Sequence, residues 1–213
     1  MMRKYRHIIF DIDGTLLDTE QAILQSLKDT ISETLHENLP TSELKFALGI
    51  PGEVTLHKLG IEDIESTSRK WNEHLLKYKS FIRLFDGIPE LLSSLKAEGY
   101  SLGIVTSKTR NEFGVDFDVP FGITDYFDTV VCVEDALRPK PNPEPLLAYL
   151  TRSNIAAQDA LYIGDTIYDS QCAQRAGVDF GLALWGNMTA LDMPANYIFK
   201  KPQEVLCYLA GFF

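Results

Sequence analysis

Short apolar runs alternate with amphipathic stretches along most of the chain. The runs are His7–Phe10, Ser101–Thr106 (SLGIVT), Thr129–Val133 (TVVCV), Ala160–Ile163 (ALYI) and Phe180–Trp185 (FGLALW). Each is apolar nearly throughout instead of alternating with polar residues, the pattern of strands covered on both faces in a parallel sheet. The stretches between them carry helical spacing. Pro89–Glu98 places Leu91, Leu92 and Leu95 on one side, follows Asp86-Gly87 and stops at Gly99. Pro143–Arg152 repeats the pattern with Leu146, Leu147 and Leu150 and a proline in its first turn. Thr166–Ala176 ends at Gly177, a residue suited to the left-handed position after a helix. From residue 86 onward this alternation predicts an α/β fold with a doubly wound parallel sheet.

Between Asp18 and Asp86 the pattern changes, and no strand-like run occurs. Ala22, Ile23, Leu27, Ile31 and Leu35 recur at helical spacing, and Glu62–Phe81 also reads as helix. The prediction is an all-helical cap over 18–85, inserted into an α/β core made of 1–17 and 86–213. The chain must leave the sheet after one strand and return to it, through linkers placed at Leu16–Thr19 and Arg83–Gly87. Two linkers make a hinge, so the insert can act as a lid over the strand ends. Asp18 and Thr19 read as caps of the first inserted helix. The glycine-flanked Leu48–Glu53 (LGIPGE) either reaches the substrate or joins two helices.

Composition narrows the class. The chain has 213 residues, 45% hydrophobic and 23% charged, which excludes disordered and fibrous classes. The formal charge of −10 lacks the footprint of a nucleic-acid binder and is repelled by anionic lipid. No apolar run approaches the roughly 18 residues of a membrane span. The basic N-terminus precedes only Ile8, Ile9 and Phe10, too few for a signal peptide, so a cytoplasmic location is expected. Cys132, Cys172 and Cys207 have no metal or disulfide spacing and read as buried free thiols. The four scattered histidines read as structural or surface residues.

Ligands of open α/β sheets bind beyond the carboxyl ends of the strands. Asp11-Ile12-Asp13-Gly14-Thr15-Leu16-Leu17-Asp18 follows the first strand. Thr106, Ser107 and Lys108 follow the second. Arg138-Pro139-Lys140-Pro141 comes after the third, and Gly164-Asp165-Thr166-Ile167-Tyr168-Asp169 after the fourth. Several carboxylates at one point repel each other, and a divalent cation removes the conflict. Oxygen ligands without His or Cys favour Mg²⁺, and a lysine beside a helix N-terminus suits a phosphate. The combination points to phosphoryl chemistry on a metal-bound phosphate.

On these residues the sequence resembles the haloacid dehalogenase-like phosphohydrolase superfamily over almost its whole length. DIDGTLLD matches the nucleophile motif DxDGTxxD. Thr106 matches the second motif's hydroxyl, Lys140 in KPNP the third motif's lysine, and GDTIYD the fourth motif. The resemblance implies a Rossmann-like core with a small helical cap and an Mg²⁺ cofactor. It implies that Asp11 is the nucleophile that forms an aspartyl-phosphate, and that Asp13 is the general acid and base. Thr106, Ser107 and Lys140 would bind the phosphate, Lys140 also offsetting the charge of Asp11. The metal would be held by Asp11, the carbonyl of Asp13 and Asp165, with Asp169 supporting its water shell or the lysine. One departure is Arg138-Pro139, where relatives often carry glycine ahead of the lysine; a stiffer loop there can shift the lysine. Lys108 reads as a phosphate or substrate ligand or as a solvated side chain. The layout looks like phosphoglycolate phosphatase-like members, with pyrophosphatase, β-phosphoglucomutase-like phosphomutase and non-catalytic phosphate or partner binding as alternatives. A small phosphorylated metabolite as substrate and a monomer or dimer are expected.

Overall fold

A computed structural model describes residues 5–187 and 192–211. The basic residues 1–4 of the N-terminus lie outside the described residues. Strand β1 (His7–Phe10) enters a tight loop and a two-residue strand, β2 (Leu17–Asp18). Helices α1 (Glu20–Leu35), α2 (Gly52–Lys58) and α3 (Ile64–Lys77) follow, then β3 (Arg83–Leu84), α4 (Ile88–Ala97) and β4 (Ser101–Val105). Next come α5 (Arg110–Glu112), a π-helical turn at Phe113–Asp118, α6 (Val119–Phe121) and β5 (Thr129–Val131). The chain ends with α7 (Glu144–Ser153), β6 (Ala160–Gly164), α8 (Ile167–Ala176), β7 (Asp179–Ala183), β8 (Tyr197–Phe199) and α9 (Pro202–Leu209).

Six strands form one sheet in the order β5-β4-β1-β6-β7-β8, every pairing parallel. Side-chain alternation divides its apolar residues between two cores. Ile8, Phe10, Leu102, Ile104, Leu161 and Ile163 face α4 and α9. Ile9, Val105, Val131, Tyr162, Phe180 and Leu182 face α7 and α8. This is the doubly wound architecture that the continuous apolar runs predict. β1 has β4 on one side and β6 on the other, so the chain winds away from it in both directions. The ends of these three strands therefore open onto one crevice.

The helices between β2 and β3 enclose a separate apolar cluster that includes Leu24, Leu27, Ile31, Leu44 and Leu56. The two linkers are not open coil. Leu17 pairs with Leu84 and Asp18 with Arg83 in an antiparallel ribbon. Asp18 accepts from the Arg83 guanidinium at 3.1 Å instead of capping α1, and Thr19 occupies the N-cap position without a side-chain cap bond. Cys132 and Cys172 are buried free thiols, whereas Cys207 is exposed. Among the described residues no helix is long and apolar enough to cross a membrane.

Candidate active site

Asp11 and Thr106 each stand one residue beyond a strand, and each still donates a ladder hydrogen bond. Asp11 N–H reaches the Ile163 carbonyl at 2.9 Å, and Thr106 N–H the Val131 carbonyl at 3.0 Å. After Asp11 the chain turns sharply. The Ile12 carbonyl accepts from the N–H groups of Thr15, Leu16 and Leu17. Gly14 makes the turn at φ +78, and a Cβ there would lie 2.2 Å from Asp165 Oδ2. Glycine is thus required both by the backbone angle and by the close approach of the fourth motif's carboxylate.

One buried charge cluster sits beneath this loop. Lys140 Nζ lies 3.0 Å from Asp11 Oδ2 and 2.7 Å from Asp169 Oδ1. The Arg138-Pro139 departure has not displaced the lysine from the carboxylates. Lys140 also donates to the Tyr162 hydroxyl at 3.1 Å. That hydroxyl is 2.8 Å from Asp169 Oδ1 and 3.1 Å from the Val105 carbonyl, its single proton serving one of them at a time. The other oxygen of Asp169 accepts from the Thr166 hydroxyl at 2.6 Å and the Thr166 N–H at 3.0 Å. Thr166 and Asp169 form a capping box at the start of α8. Asp165 Oδ1 accepts from Thr15 at 3.2 Å, and the Trp185 indole pins the Thr15 carbonyl at 2.9 Å.

Asp11, Asp165 and Asp169 bring one carboxylate oxygen each to within 4.8 Å of one another, and all three residues are buried. Burial raises the Asp11 carboxyl to about 7; Lys140 opposes the rise, and Asp169 and Asp13 add to it. Burial, then Asp169 and Asp11, holds Asp165 well above the ordinary carboxylate range. Burial disfavours the charge on Lys140, yet Asp11 and Asp169 outweigh it and raise its pKa. One ammonium against three carboxylates leaves the cluster short of positive charge. An oxygen-only donor set of this density fits a hard divalent cation, and the Gly14 surface keeps Asp165 clear of any Cβ.

Asp13 stands apart from this cluster. Its Oδ2 lies 3.1 Å from Lys108 Nζ, which is also 3.8 Å from Asp116 Oδ2 in the π turn. Its Oδ1 is buried and has no hydrogen-bond partner among the described residues. So Asp11 and Asp13, two residues apart in sequence, face different lysines. The Thr106 hydroxyl accepts the Lys108 N–H at 3.2 Å, which leaves its own proton free to donate. The Ser107 hydroxyl donates to the Gly49 carbonyl at 3.0 Å. The Leu48–Glu53 loop therefore reaches the core. Gly49, at φ +80, packs so closely that a Cβ would lie 2.7 Å from the Thr166 methyl. A second contact sets Lys58 Nζ 5.7 Å from the centre of the Tyr168 ring. A groove of about 300 Å³ runs between α3 and the 110–118 segment, walled by Leu75, Leu76, Ile82, Asn111, Val115 and Asp116.

Thr15, Tyr162 and Thr166 are site residues that sequence reading did not single out. Thr166 carried a signal, the T-x-x-D spacing of a capping box. Tyr162 carried none, since a tyrosine inside an apolar strand reads as core.

The chain is similar to known proteins over most of its length. The family profile described as haloacid dehalogenase-like hydrolase matches residues 8–183. Pyrophosphatase PpaX of Bacillus velezensis is 30% identical over 205 residues, covering 93% of this chain and 94% of that protein. Phosphoglycolate phosphatase of Aquifex aeolicus is 29% identical over 206 residues, covering 94% and 95%. A haloacid dehalogenase-like hydrolase family protein from Streptococcus pneumoniae superposes with a TM-score of 0.79 at 27% identity, covering 96% of this chain and 98% of that one. The chain belongs to the haloacid dehalogenase-like hydrolase family.

Proposed function

We propose that the protein is an Mg²⁺-dependent phosphatase that hydrolyses a small phosphomonoester through an aspartyl-phosphate on Asp11. The observation that carries this reading is the buried Asp11 carboxylate at the end of the central strand. It is held at 3.0 Å by Lys140, with Asp165 and Asp169 completing a set of carboxylate oxygens within 4.8 Å. In the first step an Asp11 oxygen bonds to phosphorus, the ester P–O bond breaks, and its electron pair leaves with the alkoxide. Asp13 supplies the proton that makes it an alcohol. In the second step Asp13 takes a proton from water as the water oxygen bonds to phosphorus. The acyl-phosphate P–O bond then breaks and Asp11 is restored. Thr106 donates to a phosphoryl oxygen, and Lys140 balances the charge on Asp11 and the phosphate. Ser107 fastens the Gly49 loop. Asp11, Asp165 and the Asp13 carbonyl, supported by Asp169, would hold Mg²⁺, which would supply positive charge against the phosphoryl oxygens.

In this reading 18–85 is a cap domain over a core of 1–17 and 86–213. The Leu17–Leu84 ribbon is its stem, and the Gly49 loop closes on Ser107 and Thr166 to shut out water. Phosphoglycolate is the first substrate to test. Pyrophosphate is the second, because several relatives are named pyrophosphatases. The experiment is phosphate release from a panel of phosphomonoesters and pyrophosphate, with Mg²⁺ and with EDTA. Release that needs metal and vanishes in Asp11→Asn is expected. Release that persists in EDTA or in the variant contradicts the reading, and the preferred substrate decides between the two names.

A further inference from the structure

Lys108 is not a solvated surface residue. Its backbone is fixed on both sides: its N–H donates to Thr106 Oγ1 at 3.2 Å, and its carbonyl accepts from Val133 N–H at 3.0 Å. The side chain is 12% exposed and spans from Asp13 at 3.1 Å to Asp116 at 3.8 Å. Asp116 belongs to the one π-helical turn among the described residues, Phe113–Asp118, and forms part of the groove wall beneath α3. Local π geometry re-aims a side chain that a regular helix would carry elsewhere. The consequence shows at Asp13. One oxygen, Oδ2, is tied to the ammonium, while Oδ1 is buried and has no hydrogen-bond partner among the described residues.

Resting on the phosphatase reading above, we infer that Lys108 is a positioning residue for Asp13. Lys108 clamps Oδ2 so that Oδ1 alone faces the reacting oxygen, and Asp116 anchors Lys108 on the side away from the phosphate. Three consequences separate this from a phosphate-binding lysine. The ammonium has two carboxylate partners of its own. The phosphate already has Lys140. A clamp on the general acid matters in proportion to how badly the leaving group needs a proton. An alkyl phosphomonoester must have its alkoxide protonated as the P–O bond breaks, whereas nitrophenolate leaves as the anion. Losing a phosphate ligand slows both substrates alike.

The test is first-turnover release of the alcohol from an alkyl phosphomonoester the enzyme hydrolyses, and of nitrophenol from p-nitrophenyl phosphate. Both are measured by rapid quench in wild type, Lys108→Met, Asp116→Asn and Asp13→Asn. Since general acids contribute about 10²–10⁴-fold, Lys108→Met is expected to slow the alkyl substrate about 10- to 100-fold and the aryl substrate less than about 3-fold. Asp13→Asn should show the same selectivity with a larger factor. Asp116→Asn should show it with a smaller one, and it carries the test alone if Lys108→Met does not fold. Equal slowing of both substrates, or a rise in KM with kcat unchanged, assigns Lys108 to substrate binding and overturns the inference. So does a Lys108→Met enzyme indistinguishable from wild type. Failure of the wild type to release either product instead sinks the phosphatase reading on which the inference stands.

Discussion

Two lysines bridge pairs of carboxylates on opposite sides of the nucleophile loop, and the sets differ in how dry they are. Around Lys140 the exposures are 1% for the lysine, 3% for Asp11 and 0% for Asp169. Around Lys108 they are 12% for the lysine, 20% for Asp13 and 15% for Asp116. The dry set is cross-linked by Tyr162 and the Thr166 capping box, so its charges cannot relax. The wetter set lies beside the groove, with one carboxylate oxygen unengaged. Burial suits a nucleophile that must not move and a charge cluster completed by a cation. Partial access suits a carboxylate that exchanges protons with a leaving group and then with water. The chain thus separates two carboxylates two residues apart by giving each its own lysine.

The largest effect expected from this contrast is on folding stability. Lys140→Met strands buried carboxylates and should cost about 3 kcal/mol or more in metal-free protein. Lys108→Met leaves the partly exposed Asp13 and Asp116 able to recruit water and should cost clearly less than Lys140→Met. Denaturant unfolding in EDTA reads both, and equal losses would erase the distinction between the two sets.

A second effect is the pH dependence of the dry set. The folded Asp11 carboxyl is raised from 3.8 to about 7 by burial, against the opposing pull of Lys140. The folded chain therefore holds a proton that the unfolded chain releases. That contribution to stability is present in full below the unfolded value and is lost as the pH rises through about 7. In EDTA, wild type should lose stability from about pH 4 to about pH 7, and Asp11→Asn should lose less over the same range. Parallel slopes in urea titrations of the two proteins would contradict this.

Much of the site was legible because its chemistry is written in short contiguous segments. Asp11, Asp13, Asp165 and Asp169 lie within two segments at strand ends, and the order of strands brings the segments together. Lys140 was found despite Pro139, and the structure places its ammonium between two carboxylates. What escaped depended on contacts across the fold. Tyr162 is marked only by its hydroxyl, which is hidden in an apolar strand. The partner of Lys108 could not be read: Phe113, Phe117 and Phe121 recur at a helical four-residue spacing, but nothing in that spacing marks the π turn that sets where Asp116 points. The hydrogen bond from Ser107 to the Gly49 carbonyl was not legible either, a contact set by how the inserted helices pack. β8 is three residues and the β2–β3 ribbon two residues per strand, too short for any periodicity. Cys207 lies on α9, a helix that sequence reading did not identify.

The central claim is that Asp11 carries the phosphoryl group, and trapping that intermediate tests it most directly. Wild-type enzyme mixed with Mg²⁺ and its preferred phosphoester, then acid-quenched and digested, should yield one phosphorylated peptide, with the modification on Asp11, and Asp11→Asn should yield none. Steady turnover with no phosphorylated peptide, or with phosphate on a residue other than Asp11, would contradict the account.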